Sequence, residues 1–253
     1  MANQKDRRTI VTPVSDAKSD DRPAPETTIY EDGSYLAHNP SWHVEHSAWK
    51  AANIEKMIAK LPVPPRTICE IGCGAGEILA TIKRKHPDIR VVGYDISPDV
   101  KALVEQRPEV EFHAADLLQQ SEKFDLILCI DVFEHVEDYF GFLRRLRERA
   151  PYHIFHIPLD LSAQTVARGS PIASVRENLG HLHYFTKETA LASLRETGFE
   201  IVDWFYTQGS VELPDRGAKA KLLKWPRKLM YSLAPDLTVR VLGGYSMMVL
   251  AKH

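Results

Sequence analysis

Thr67-Ile68-Cys69-Glu70-Ile71-Gly72-Cys73-Gly74-Ala75-Gly76-Glu77-Ile78-Leu79 is the stretch that decides the fold. Its first residues are apolar and β-branched and read as a buried strand. Three glycines at alternate positions follow, and then a helical pattern begins. A strand, a tight glycine turn and a helix start let a ligand lie against bare backbone at a helix N-terminus, where N–H groups have no partner. Gly72 is expected to take a positive φ, Gly74 to let the ligand approach with no Cβ in the way, and Gly76 to let the helix sit close to the sheet. An acid, Glu70, stands two residues before the first glycine.

Outward from this stretch the chain repeats one phrase: an apolar strand that closes on a polar residue. Ile89-Arg90-Val91-Val92-Gly93-Tyr94-Asp95 puts an acid 19 residues after Gly76. An acid at the tip of the second strand suits a bidentate grip on two ribose hydroxyls. Val110 to Leu117 is a third strand closing on Asp116, and Phe124 to Asp131 a fourth whose near-continuous apolar run marks it as central in a parallel sheet. Tyr152–Pro158, Phe199–Tyr206 and Gly244–Ala251 supply strands five, six and seven. Helices are expected from Ala75 to about Lys85, near 98–107, near 137–149, and from Thr186 to Gly198, with Thr186 as N-cap. The expected fold is α/β: a doubly wound, mostly parallel seven-stranded sheet with an antiparallel last strand, helices on both faces and an N-terminal helical cap.

Length and composition agree with one such domain. The chain has 253 residues, 44% of them hydrophobic, and a formal net charge of −2, so no global field favours nucleic acid or an anionic membrane. Cys69, Cys73 and Cys129 are an odd number without paired spacing, which argues against a disulfide framework or a zinc site. There is no N-terminal apolar signal and no run of membrane-spanning length. A reducing cytoplasm is the expected setting. Residues 1–28 read as a polar, disordered tail. Residues 29–62 hold an aromatic- and histidine-rich segment (Tyr35, Trp42, His43, His46, Trp49) running into a helix near 44–60, read either as packing on the core or as a lid. The stretch 159–180 reads as an irregular loop. Residues 213–241 are an insertion, with Pro226 expected to split it into two helices. Its cations Lys219, Lys221, Lys224, Arg227 and Lys228 interleave with apolar residues. That pattern fits a helical cover with lysine stems lying on apolar surface, or a weak contact with a membrane surface through 219–231.

With Glu70-x-Gly72-x-Gly74-x-Gly76, Asp95, Asp116 and Asp131-Val132-Phe133-Glu134-His135-Val136 in order, the chain resembles the class I, seven-strand S-adenosylmethionine (SAM) methyltransferases, nearest to the bacterial small-molecule group with a later His-x-x-x-Phe-Thr phrase, here His181 to Thr186. The resemblance covers about residues 40–210 and the last ten. It implies SAM as cofactor. Glu70, Gly72, Cys73, Gly74 and Gly76 would hold the methionine and ribose region. Asp95, with Ile96 beside it, would take the ribose, Asp116 and Leu117 the adenine, and Asp131 would lie near the sulfonium. Cys73 is not demanded by the motif, and its small size would be what matters.

Methyl transfer to oxygen needs alignment, exclusion of water and removal of a proton. His135 and His181 are the candidate bases, since an imidazole titrates near neutral pH. Asp131-x-x-Glu134 also reads as a helix capping box, with His135 merely following. The expected reaction is O-methylation of a small molecule, glycan or lipid-linked sugar, with no metal and no DNA partner. Two other readings stand beside it. Asp131, Glu134, His135 and His181 are similar to the metal set of RNA 2′-O-methyltransferases, although RNA fits poorly with the acidic balance. A non-catalytic, SAM-binding regulatory domain is the third.

Overall fold

In a computed structural model, which describes residues 44–97, 100–213 and 218–253, the seven strands are β1 Thr67–Ile71, β2 Arg90–Asp95, β3 Glu111–Ala114, β4 Leu126–Ile130, β5 Tyr152–Pro158, β6 Glu200–Thr207 and β7 Ser246–Lys252. They form one sheet in the order β3-β2-β1-β4-β5-β7-β6. The β1–β2, β2–β3, β1–β4 and β4–β5 pairs are parallel, and β7 runs antiparallel to both its neighbours. The apolar runs are continuous because both faces are covered. Along β4, Ile127 and Cys129 enter one core with Phe133, Phe155 and Leu143. Leu126, Leu128 and Ile130 enter the other with Ile54, Met57 and Leu79.

The order reverses between β1 and β4, both central. At such a point the two connecting chains leave in opposite directions, and a crevice opens beyond the C-terminal strand ends. Helix α1 (Val44–Ile58) covers it from one side, burying Ala51, Ile54 and Met57 completely. Helix α2 (Glu77–Lys85) rises from the glycine turn. Of the short α3, the structure describes Lys101–Val104, less than the helix expected near 98–107. Helix α4 (Tyr139–Leu146) follows, capped by Asp138 through the Gly141 N–H.

The stretch 159–180 departs from expectation. Instead of an irregular loop it holds α5 (Ala163–Arg168) and α6 (Ser170–Leu179). Ser162 and Thr165 form a reciprocal capping box, Gly169 turns the corner at φ 67°, Pro171 opens α6 and Gly180 closes it in a left-handed conformation. Helix α7 (Lys187–Glu196) begins at Thr186 as expected, in a second capping box with Thr189. After α8 (Gly209–Glu212), α9 spans Ala218–Leu233 and α10 spans Pro235–Leu242. Pro226 therefore sits inside α9, and the break comes at Ala234-Pro235. Tertiary anchors outweigh the lost backbone bond: Arg227 donates to the carbonyls of Leu242 and Gly243, and Tyr231 stacks on Tyr245. The face of α9 bearing Trp225, Leu229 and Leu233 is exposed, so its apolar residues do not all serve as cover. No helix among the described residues is long and apolar enough to cross a membrane. The tail 1–28 and the aromatic residues Tyr35, Trp42 and His43 lie outside the described residues.

The glycine turn is locked by close packing. Gly72 and Cys73 both donate to the Tyr94 carbonyl, at 2.8 and 3.2 Å. Gly72 has φ 66°, and a Cβ there would stand 2.8 Å from Val132. Gly76 is needed for its own left-handed backbone (φ 72°) rather than for close packing, because a Cβ there would meet nothing nearer than 3.7 Å. Cys73 is fitted to Gly93 across the turn: a Cβ on Gly93 would lie 2.6 Å from the Cys73 Sγ. Gly93→Ala is accordingly expected to lower stability by about 1–3 kcal/mol through overpacking. Most of that loss is expected to disappear in a Cys73→Ala background, as read by urea unfolding. Equal losses in both backgrounds would show that the sulfur does not set the fit.

Candidate active site

The crevice is a cavity of about 630 Å³, lined by α1, the glycine turn, the tips of β2, β4 and β5, and the segment around His181. Of the residues singled out in the sequence, Glu70, Gly72, Cys73, Gly74, Asp95, Ile96, Asp131, His135 and His181 line it. Gly76, Asp116 and Leu117 do not. Asp116 caps a short 3₁₀ turn through the Leu118 N–H, and Leu117 is fully buried in the core. Of the N-terminal aromatics, Trp49 is on the cavity wall, and its indole N–H donates to Glu212 at 2.6 Å. α1 thus packs with one face and lines the cavity with another.

Asp95 is buried, and its two oxygens accept from the Gly74 N–H at 2.8 Å and the Ser97 N–H at 2.9 Å. A carboxylate has about four acceptor sites, so two backbone bonds orient it and leave capacity for ribose hydroxyls. Burial pushes its carboxyl up from the ordinary value, and the backbone donors oppose that.

Asp131 follows the end of β4 with φ 56°, a left-handed backbone that few residues besides glycine, asparagine and aspartate adopt. Its carboxylate is gripped from two sides: His156 Nδ1 stands 2.6 Å from Oδ1 and Lys50 Nζ 2.7 Å from Oδ2. His156 is itself held, with Nε2 2.9 Å from Thr207 Oγ1. Desolvation alone would raise the Asp131 carboxyl, but His156 and Lys50 hold it well below the usual range. Burial works to lower the Lys50 ammonium, but the charge and hydrogen bond of Asp131, together with Glu70 and Glu134, more than reverse this. Lys50 and His156 were not foreseen. Lys50 is one lysine in an amphipathic helix and His156 one polar residue in a strand, and neither pattern announces a site.

Asp131 and Glu134 do not form a capping box. The turn Phe133–His135 is a 3₁₀ turn with no side-chain cap, and the Glu134 carboxylate is fully buried with neither oxygen hydrogen-bonded. Its backbone carbonyl accepts from the N–H groups of Leu182 and His183, at 2.8 and 3.0 Å, which draws the His181 segment against the end of β4. His135 Nδ1 lies 3.1 Å from the Gly180 carbonyl, and His181 Nδ1 2.7 Å from Asp160 Oδ2. The two imidazoles meet edge to face with centroids 4.8 Å apart. Burial, and then the neighbouring His181, press His135 down to about 4, so it is neutral at physiological pH. The two histidines thus come together, while Asp131 belongs to the separate Lys50–His156 group.

Glu70 is buried with Oε2 unpartnered. Burial pushes its carboxyl up to about 8; Lys50 opposes this, while Asp95 and Asp131 add to it. An unfolded glutamate titrates near ~4.3, so between that value and about 8 the folded state binds more protons than the unfolded one. The raised pKa therefore favours folding fully below ~4.3, and that advantage is lost as pH climbs to about 8. Glu70→Gln has no such titration. Its unfolding free energy, minus that of the parent, is expected to rise with pH across this window by up to about 1.4 kcal/mol per pH unit. A difference that stays flat in urea unfolding from pH 5 to 8 would contradict the buried, protonated state.

Comparison with known proteins agrees with this geometry. A family model described as a methyltransferase domain matches residues 42–203. Over 116 residues the chain is 28% identical to a trans-aconitate 2-methyltransferase of Deinococcus radiodurans, covering 45% of each chain. It is 30% identical over 105 residues to the enzyme of that name from Streptomyces avermitilis, covering 35% of this chain and 39% of that one. The matched stretch thus spans less than half of either relative. Among solved structures, magnesium protoporphyrin IX methyltransferase from Synechocystis with bound SAH superimposes with a TM-score of 0.56 at 18% identity, covering 83% of this chain and 84% of that one. The cyclopropane synthase MmaA2 of Mycobacterium tuberculosis gives 0.56 at 20% identity, covering 80% and 83%. At these identities the structures speak for the fold. Taken with the family match, the reversed strand order and the glycine turn that ends at Asp95, they show that the chain belongs to the class I, SAM-dependent methyltransferase family.

Proposed function

We propose that this chain transfers the methyl group of SAM to the oxygen of an uncharged, hydroxylated acceptor, either a small molecule or a glycan or lipid-linked sugar. The observation that carries the reading is one continuous cavity that joins the Asp95 crevice to the His135–His181 corner. A ribose held at Asp95 sets the cofactor along the ends of β1 and β2, with Ile96 beside it and Glu70 and Asp131 toward its cationic end. Asp116 and Leu117, at the end of β3, keep their place in the proposal only as the outer edge of an adenine site. The acceptor's oxygen lone pair attacks the methyl carbon in line, the carbon–sulfur bond breaks, and its electron pair stays on sulfur. Positioning supplies most of the acceleration. The hydroxyl proton is given up at the His135–His181 corner. There, Asp160 holds the His181 ring by Nδ1 and the Gly180 carbonyl holds His135 by Nδ1.

The side chains of the wall support this acceptor class. Glu70, Glu77, Asp95, Asp131, Glu134 and Glu137 line the cavity. Among the described lining residues Lys50 is the sole lysine or arginine, and it is committed to Asp131. A tricarboxylate such as the named substrate of the trans-aconitate enzymes would find no uncommitted lysine or arginine among the described lining residues to pair with. An RNA backbone faces the same objection. The exposed Trp225, Leu229 and Leu233 face on a helix rich in lysine favours an acceptor carried at a lipid surface over a freely diffusing one.

Radiolabelled SAM incubated with cell extract, then fractionated into neutral small-molecule, lipid or glycan, organic-acid, RNA and protein pools, tests the proposal. Label is expected in the neutral or lipid and glycan pools and is expected to vanish with Asp95→Ala. Label in the organic-acid or RNA pool would overturn the acceptor class. Absence of label from every pool, in protein that binds S-adenosylhomocysteine, would favour a regulatory domain over an enzyme.

A further inference from the structure

We propose that Glu134, His135 and His181 bind one divalent transition-metal cation. One ligand atom from each residue lies within 4.8 Å of the others, close enough to share an ion. Three independent features make this a built site rather than a chance gathering.

The first is the Glu134 carboxylate. It is completely buried, and neither oxygen has a hydrogen-bond partner. A buried carboxyl without partners is expensive, and it is retained where something else satisfies it. It lies on the cavity wall, with Oε1 3.8 Å from the His135 Nε2. The second is the tautomer of each ring. The Gly180 carbonyl can only accept, so His135 Nδ1 must donate to it. Asp160 likewise accepts from His181 Nδ1. In its neutral form each ring would therefore present its lone pair on Nε2. Anchoring one ring nitrogen to a carbonyl or carboxylate while the other binds metal is the usual outer support of a histidine ligand. The third is how the ligands are joined. Glu134 and His135 sit on one 3₁₀ turn, and His181 arrives from a segment far along the chain. The Leu182 and His183 N–H groups pin that segment to the Glu134 carbonyl.

Two imidazoles and one carboxylate suit zinc, cobalt, iron or manganese, and a three-residue set leaves coordination positions for an outside ligand. Asp131 is not part of the set, because Lys50 and His156 occupy its oxygens. The cation's purpose, though not its binding, rests on the reading of the cavity as a methyl-transfer site. There the ion, rather than a free imidazole, would hold the acceptor oxygen and make its proton easier to lose.

The test uses the full chain, stripped with chelator and titrated with Co²⁺ while visible absorption is followed, with S-adenosylhomocysteine binding measured on the same samples. One Co²⁺ per chain is expected, with bands that Zn²⁺ abolishes. Glu134→Gln keeps the shape of the side chain and is expected to weaken Co²⁺ about tenfold or more. Asp160→Asn, which touches only the outer support, is expected to weaken it by about 10–100-fold. His86→Ala, at a surface histidine outside the cavity, is expected to change nothing. Failure to bind Co²⁺ by protein that still binds S-adenosylhomocysteine would overturn the metal site and leave the methyltransferase reading standing. The same holds for binding indifferent to both cavity variants. One-site Co²⁺ binding that responds to these variants, in protein blind to S-adenosylhomocysteine, would uphold the metal site and sink the cofactor reading.

Discussion

Among the described residues of the crevice one half-buried lysine faces a set of acids, and much of the site follows from that imbalance. Lys50 reaches from α1 to Asp131 and shares it with His156. If either were removed, the half-buried Asp131 carboxylate would keep one partner instead of two. The salt link thus ties α1 to the tip of β4 and holds Asp131 in its left-handed backbone conformation. Burial pushes the Glu70 carboxyl, behind it, up to about 8, and Lys50 opposes this without offsetting it. A ligand that brings positive charge would relieve the arrangement. SAM carries a sulfonium and an ammonium, so the unliganded protein is organised around a charge it does not itself supply.

The sheet explains why this imbalance sits where it does. Strand order turns around between β1 and β4, so their C-terminal ends are not roofed by the same connection. The glycine turn keeps the roof thin on one side, with the Gly72 and Cys73 amides spent on the Tyr94 carbonyl and the Gly74 amide on Asp95. On the other side the Phe133–His135 turn and the His181 segment form a second wall, joined through the Glu134 carbonyl. On the proposed reading, cofactor chemistry and acceptor chemistry fall to different walls of one cavity.

Much of this was legible in the sequence because it obeys short-range rules. Apolar runs that end in Asp95, Asp116 and Asp131 gave the parallel strands, and the glycine spacing gave the turn between the first strand and its helix. What escaped notice depends on long-range geometry. Lys50 lies 20 residues before Glu70, and nothing local separates it from the solvated lysines of the same helix. His156 reads as an ordinary strand residue until β5 is placed beside β4. The helices α5 and α6 are a different kind of miss. Ser162, Thr165, Pro171 and Gly180 carry sound capping signals, but the segment lacks a buried apolar face, and periodicity alone could not find it. Pro226 shows the opposite error, where a strong local breaker lost to side-chain anchoring from Arg227.

We take the β1–β4 crevice, with its set of acids, to be the cofactor site. The most direct measurement is a crystal structure of the chain soaked or co-crystallised with S-adenosylhomocysteine. The account predicts density in the crevice, with the ribose hydroxyls within hydrogen-bond distance of Asp95 and the amino acid end directed toward Glu70 and Asp131. Ligand bound elsewhere, or a crevice left empty at saturating concentration while Asp95 still accepts only from the Gly74 and Ser97 amides, would contradict it.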